Sequence, residues 1–91
     1  MVMGARLGPE FDVFVRTSSP GLLRLATLLV RESGAAEDLL QVALARTARH
    51  WGDAQRDPAA YTRRTIANLA KNRWRDKSRR PREVQDLTGI E

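Results

Sequence analysis

The chain contains no cysteine, which excludes disulfides, thiolate metal ligation and thiol catalysis and fits a reducing compartment. Its single histidine, His50, has no second histidine or thiol beside which to build a metal site and reads as a surface residue at a helix end. Aromatic residues are scarce: Phe11, Phe14, Trp51, Tyr61 and Trp74 make up 5% of the sequence. The longest mainly apolar run, Leu25 to Val30, is far short of the roughly 20 residues that a membrane-crossing helix needs. The N-terminus has no charged segment leading into a long apolar one, so no signal peptide is expected. A cytoplasmic protein without a membrane partner is the expectation. Period-two alternation and internal repeats are missing too, which argues against sheets and solenoids. No nucleophile–base pair or ligand cluster is evident, so neither an enzyme nor a cofactor is expected.

What remains is a small helical chain with an uneven charge distribution. Ninety-one residues, 42% of them hydrophobic, suffice for one domain with a modest core. Apolar residues recur at spacings of three and four. A first helix is expected from Pro9 or Glu10, with Phe11, Phe14 and Val15 on one face. Thr17-Ser18-Ser19-Pro20-Gly21 should break it near Ser19, because proline disfavours helical geometry in the preceding residue. A second segment, Pro20 to Arg31, places Leu22, Leu25, Ala26 and Leu29 in the core.

A third helix is expected over about Ala35 to Trp51, capped by Ser33 or Gly34. Leu40, Ala43 or Leu44, Thr47 and Trp51 form its inward stripe, and Gly52 stops it. A short polar loop, Gly52 to Arg56, follows. Asp57 then caps a fourth helix with Pro58 at its first position. That helix is expected to reach about Arg80, ~35 Å in all, before Pro81 ends it. The fold class is an all-α compact bundle of about four helices.

The fourth helix carries most of the functional signal. Residues 57–82 hold nine of the sixteen Lys and Arg but only Asp57 and Asp76 as acids, a local balance of +7; the other 65 residues balance at −2. Such asymmetry points to a polyanion. At 100° per residue, Ile66, Ala67, Leu69, Ala70 and Trp74 share an apolar arc of about 160°. Arg64, Asn68, Lys71, Asn72, Arg75 and Arg79 share an arc of about 100° on the opposite side that contains no carboxylate. Tyr61 joins this arc at its N-terminal end. Guanidinium and ammonium groups suit phosphates, while carboxamides and a phenol ring suit exposed bases. A solvated face, an acidic protein or a membrane surface are the competing readings of the same charge. Trp74 is expected in the core rather than on a stacking surface, Trp51 suits core or rim equally, and Tyr61 is the aromatic best placed to meet a base.

A second signal is Ala36-Glu37-Asp38-Leu39-Leu40-Gln41. Asp38 and Gln41, three residues apart, share a face. Acids in a first turn are explained by the helix dipole alone, but Gln41 is not. An Asp and a Gln on an exposed ridge beside Leu39 could dock an Arg-rich partner helix.

Together, AEDLLQVAL, RHW and DPAAYTRRTIANLAKNRWRDKSRR resemble the region 2 domain of bacterial RNA polymerase sigma factors. The likeness is to the extracytoplasmic-function (ECF) group and its actinobacterial sigma-E-like branch, and it runs from about Phe11 to Arg82. The resemblance implies that Glu37, Asp38, Leu39 and Gln41 bind the clamp coiled coil of the β′ subunit of RNA polymerase core, with Arg46 and Arg49 as flanks. It implies that the following loop and helix recognise and melt the −10 promoter element. The loop from Gly52 to Asp57, including Arg56, would help to hold an extruded base of the non-template strand. Tyr61, Arg64, Asn68, Lys71, Asn72, Arg75 and Arg79 would line the path of that strand. An unstacked base exposes its full edge, which makes such reading possible. At position 72 the branch often has Asp where this chain has Asn. Family members carry a second helical domain that reads the −35 element. The resemblance therefore implies a region 2 domain over 1–82 and the start of an interdomain linker or disordered tail over 83–91, the second domain being absent.

Two rivals stay open beside it: a stand-alone helical nucleic-acid-binding module, and an interaction module whose basic helix docks an acidic regulator such as an anti-sigma factor. The charge face generates a prediction of its own. About five phosphate contacts should give single-stranded DNA binding a log-log salt slope near −3.5, measurable by fluorescence anisotropy across a salt series; a flat response would contradict the reading.

Overall fold

The structure, a computed structural model, describes the backbone of residues 2–90 and the side chains of residues 8–76. Among the described residues every regular element is helical: α1 (Val2–Val30), α2 (Ser33–Arg49), α3 (Trp51–Ala54) and α4 (Pro58–Ile90). The all-α architecture is therefore as expected, although its members divide differently. α1 and α2 form an antiparallel pair with the largest shared interface, and α4 packs on both.

Gly8 interrupts α1 with φ 72° and ψ −169°, a conformation that only glycine adopts without steric cost. Pro9 follows, with its φ already set for a helix start. From there α1 continues without a break through Pro20, against the expected break at Ser19. Proline removes one backbone donor and crowds the carbonyl four residues earlier, at a cost of about 3 kcal/mol. Burial on both sides of it favours continuity: Phe14 before Pro20, and Leu22 and Ala26 after it, enter the same core. The Thr17 hydroxyl donates to the Val13 carbonyl at 2.8 Å, so it bonds within the helix rather than starting a turn. Gly8–Val30 has the length and composition of a membrane span, but its buried residues Phe14, Leu22 and Ala26 face α2 and α4, as in a core helix.

Arg31 ends α1 with φ 61°, and the extended Glu32 is the N-cap of α2. Ser33 and Gly34 are thus helical residues rather than caps. Glu37 and Asp38 consequently lie in the second turn, not the first. α2 ends at Arg49 rather than Trp51. His50, at φ −108° and ψ 34°, turns the chain into the short α3, so that Gly52 lies inside a helix and does not end one. Trp51 leaves the α2 stripe because its ring packs across α1: it meets Phe11 edge-on at 5.3 Å and Phe14 at 6.1 Å. Edge-to-face contacts of this kind add about 0.5–1.5 kcal/mol beyond area burial.

The core joins Phe14, Leu22 and Ala26 of α1 to Ala36, Leu39, Leu40 and Ala43 of α2 and to Ile66 and Ala70 of α4. Four of these nine are alanines, which lets the helix axes approach closely. Within this apolar seam the Thr47 and Thr62 hydroxyls meet at 2.7 Å, both fully buried.

Two expected core residues lie elsewhere. Trp74 is 68% exposed and Leu29 38% exposed. α4 is longer than the pair it packs on: α1 stops at Val30, and Arg73 already reaches Glu32 in the α1–α2 turn at 3.6 Å. Beyond that level no neighbouring helix remains for an apolar residue of α4 to bury against. The helix also carries on past Pro81, where an end was expected; one missing donor interrupts a long hydrogen-bond ladder without ending it.

This placement separates two leucines of one helix. Leu22→Ala should cost ~2–5 kcal/mol by opening a cavity, whereas Leu29→Ala should cost under about 1 kcal/mol at its half-open site. Urea unfolding of both variants decides it, and equal losses would contradict the assigned core.

Candidate nucleic-acid and docking surfaces

The start of α4 is fixed by local chemistry. Asp57 caps the helix: its Oδ1 accepts from the Ala60 backbone N–H at 3.2 Å, and its carbonyl accepts from Tyr61 at 3.0 Å. Pro58 occupies the first helical position, where a missing donor costs nothing. The rotational phase of α4 is then set by Thr62, Ile66 and Ala70, which are buried against the other helices. With those three inward, Arg64, Asn68, Lys71, Asn72 and Arg75 all come out exposed. The structure thus brings five of the expected face residues onto one side of one helix. The side chain of Arg79 lies outside the described residues.

Within this face, an Arg75 guanidinium N–H donates to Asn72 Oδ1 at 2.8 Å. The bond occupies the amide oxygen and leaves the Asn72 amino group as a donor for a base acceptor. Arg56 is exposed in the turn after α3, beside the N-terminal end of the same face. Tyr61 is half-buried, with its ring 6.3 Å from that of His50, so His50 neighbours the expected strand path. Nothing in the sequence pattern linked these two rings, because the turn at His50 is a tertiary feature.

Not all of the local positive charge belongs to this face. Arg73 is partly buried and paired with Glu32; a surface pair of this kind contributes at most about 1 kcal/mol and serves the bundle end. Arg63 points to the α1 side, where it lines a cavity of about 270 Å³ with Thr17, Ser18, Gly21, Leu22 and Ala59. Lys71 and Arg75 do double service. They also border an open groove of about 610 Å³ formed by Leu29, Ala67, Ala70 and Trp74.

On α2, Glu37, Asp38 and Gln41 are exposed. Leu39, expected on the same ridge, is instead 8% exposed and belongs to the core, because the phase that buries Leu40 and Ala43 carries Leu39 inward with them. The exposed apolar residue of the ridge is Val42, at 44%. It was not singled out in the sequence, although its position four residues after Asp38 was a usable signal. Arg46 and Arg49, both exposed, continue the ridge. The dipole explanation for the acids also weakens here, since that effect fades beyond the first turn and the acids sit in the second. An exposed Asp, Gln and Val with no structural duty in the bundle is what a docking surface requires.

Comparison with known proteins bears on both surfaces. The family described as Sigma-70 region 2 matches residues 14–80. A protein named RNA polymerase sigma-E factor from Streptomyces coelicolor is 44% identical over 68 residues, covering 72% of this chain and 38% of that protein. Proteins of the same name from Streptomyces avermitilis and Streptomyces antibioticus are each 46% identical over 68 residues, with the same coverage. The chain thus aligns with well under half the length of these curated relatives. No solved structure matches it. The family match takes in the buried seam, the α2 ridge and the basic face of α4, and the chain belongs to the sigma-70 region 2 family.

Proposed function

We propose that this chain is the polymerase-docking and promoter-recognising part of an ECF-type sigma factor, acting in the cytoplasm in transcription initiation. Residues 1–82 would be the region 2 unit, with 83–91 leading towards whatever follows it in the full protein. The observation that carries the reading is the exposed face of α4, where Arg64, Asn68, Lys71, Asn72 and Arg75 emerge together with no carboxylate among them. Cations on such a face hold phosphates, and amides beside them read bases that have left the stack. The non-template strand of the −10 element is the proposed ligand, with Tyr61 and Arg56 at its entry. The role is non-enzymatic, since binding energy alone selects and holds the strand.

The second partner is RNA polymerase core. Asp38, Gln41 and Val42 present an acid, an amide and an aliphatic contact on one side of α2. That combination suits a basic amphipathic helix such as the β′ clamp coiled coil. Leu39 would act from below by fixing the ridge to the core. An anti-sigma factor would be expected to compete for the same surface.

Two measurements test these assignments. Wild-type chain should capture the isolated β′ clamp coiled coil in a pull-down, and Asp38→Ala/Gln41→Ala should abolish capture while circular dichroism stays unchanged. Capture that survives the double change would place the docking surface elsewhere. On the DNA side, Asn68→Ala should compress the affinity differences among −10 sequence variants more than it lowers mean affinity. A uniform loss on every sequence would make Asn68 a backbone contact instead.

A further inference from the structure

The groove between the C-terminal end of α1 and the middle of α4 has no role in either surface as so far described. Its walls are apolar, formed by Leu29, Ala67, Ala70 and Trp74, and its border is cationic, formed by Lys71 and Arg75. Trp74 is 68% exposed and Leu29 38% exposed, both beyond the level at which the helical pair ends. Helical side chains lean towards the N-terminus, so the indole lies over the turn that carries Ala70 and Ala67. Two methyl groups cannot cover an indole. They leave a shelf beside the ring, closed on its far side by Leu29.

We propose that this groove receives one unstacked base of a single-stranded nucleic acid, stacked on Trp74, with the flanking phosphates held by Lys71 and Arg75. Two observations favour a nucleotide over a protein helix. The border is cationic, matching a ligand that is flat and apolar in its base and anionic on both sides of it. The groove is also continuous with the basic face, because Lys71 and Arg75 belong to both, so a strand lying along Asn68 and Asn72 passes its mouth. Aromatic platforms flanked by basic residues accept every base in the same way. Trp74 would therefore supply affinity without sequence preference, in contrast to Asn68. This inference rests on the nucleic-acid reading of α4.

Anisotropy titrations with a short labelled single-stranded DNA across a salt series test it. Trp74→Ala should weaken binding by about 5-fold to 150-fold, with an unchanged salt slope because the indole carries no charge. Trp74→Phe should recover much of the loss, and Lys71→Ala should reduce the slope by about 0.7. Intrinsic fluorescence should be quenched on binding, with the quenching absent in Trp74→Ala although Trp51 remains. Wild-type binding with a normal salt slope that Trp74→Ala leaves unaltered overturns the groove assignment while the basic face stands. No wild-type binding at any salt overturns both. Unaltered DNA affinity in Trp74→Ala together with lost capture of polymerase core assigns the groove to a protein partner and overturns the proposal as well.

Discussion

The close approach of α2 and α4 is the constraint on which the rest of the molecule depends. Ala36, Ala43 and Ala70 keep this seam thin, and the Thr47 and Thr62 hydroxyls cross it at 2.7 Å. Proton accounting gives the pair a direction. Thr47 Oγ1 donates to the Ala43 carbonyl at 2.8 Å, and a hydroxyl has one proton, so Thr62 is the donor to Thr47. The net gain of such a bond is about 1 kcal/mol, but leaving it unmade in an apolar seam costs about 1–3 kcal/mol. Sliding α4 by one turn would incur that penalty and bring larger side chains against the alanines. Register between the two helices is thereby fixed, and with it the angle between the α2 ridge and the basic face of α4.

A fixed register explains why surface chemistry appears where it does. With Thr62, Ile66 and Ala70 inward, the cations and amides of α4 have no choice of side. The same argument places Asp38, Gln41 and Val42 outward once Leu39, Leu40 and Ala43 are committed to the core. The acids of α2 and the cations of α4 therefore neutralise one another little; the main link between the helix pair and the basic helix is Arg73 with Glu32, at the end of the bundle. Each surface keeps its own sign of charge for an external partner.

Much of this was readable in the sequence, and the misses have a common cause. Local signals held where local chemistry decides: Asp57 and Pro58 start α4 as a cap and a first position should, and the 3.6-residue period identified its buried and basic faces. The break expected at Pro20 failed because packing on both sides of it outweighs one lost hydrogen bond. Trp74 and Leu29 failed differently. Periodicity says which way a side chain points but not whether a neighbouring helix is long enough to meet it, and α4 outgrows α1 at that level. The acids of α2 moved from first turn to second because the chain enters that helix at Glu32, through an Arg31 whose positive φ no local pattern announces. Leu39 and Val42 exchanged roles through the same phase argument that correctly placed Ala43 and Thr47.

The magnitudes limit what such a domain does alone. Taking a base out of a duplex costs a few kcal/mol, while stacking on one aromatic returns about 1–3 kcal/mol. A single platform roughly balances a single unstacked base and cannot open several. The remaining contribution has to come from phosphate contacts, which carry no sequence information, and from contacts that require no ordering on binding. A bundle whose helix register is already locked loses little entropy when the strand arrives, so its few base contacts are not spent on arranging the protein. The physical logic is then a division of labour. The α2 ridge fixes the domain to a large partner that helps to distort the duplex, and the rigid face of α4 captures the strand once it is free.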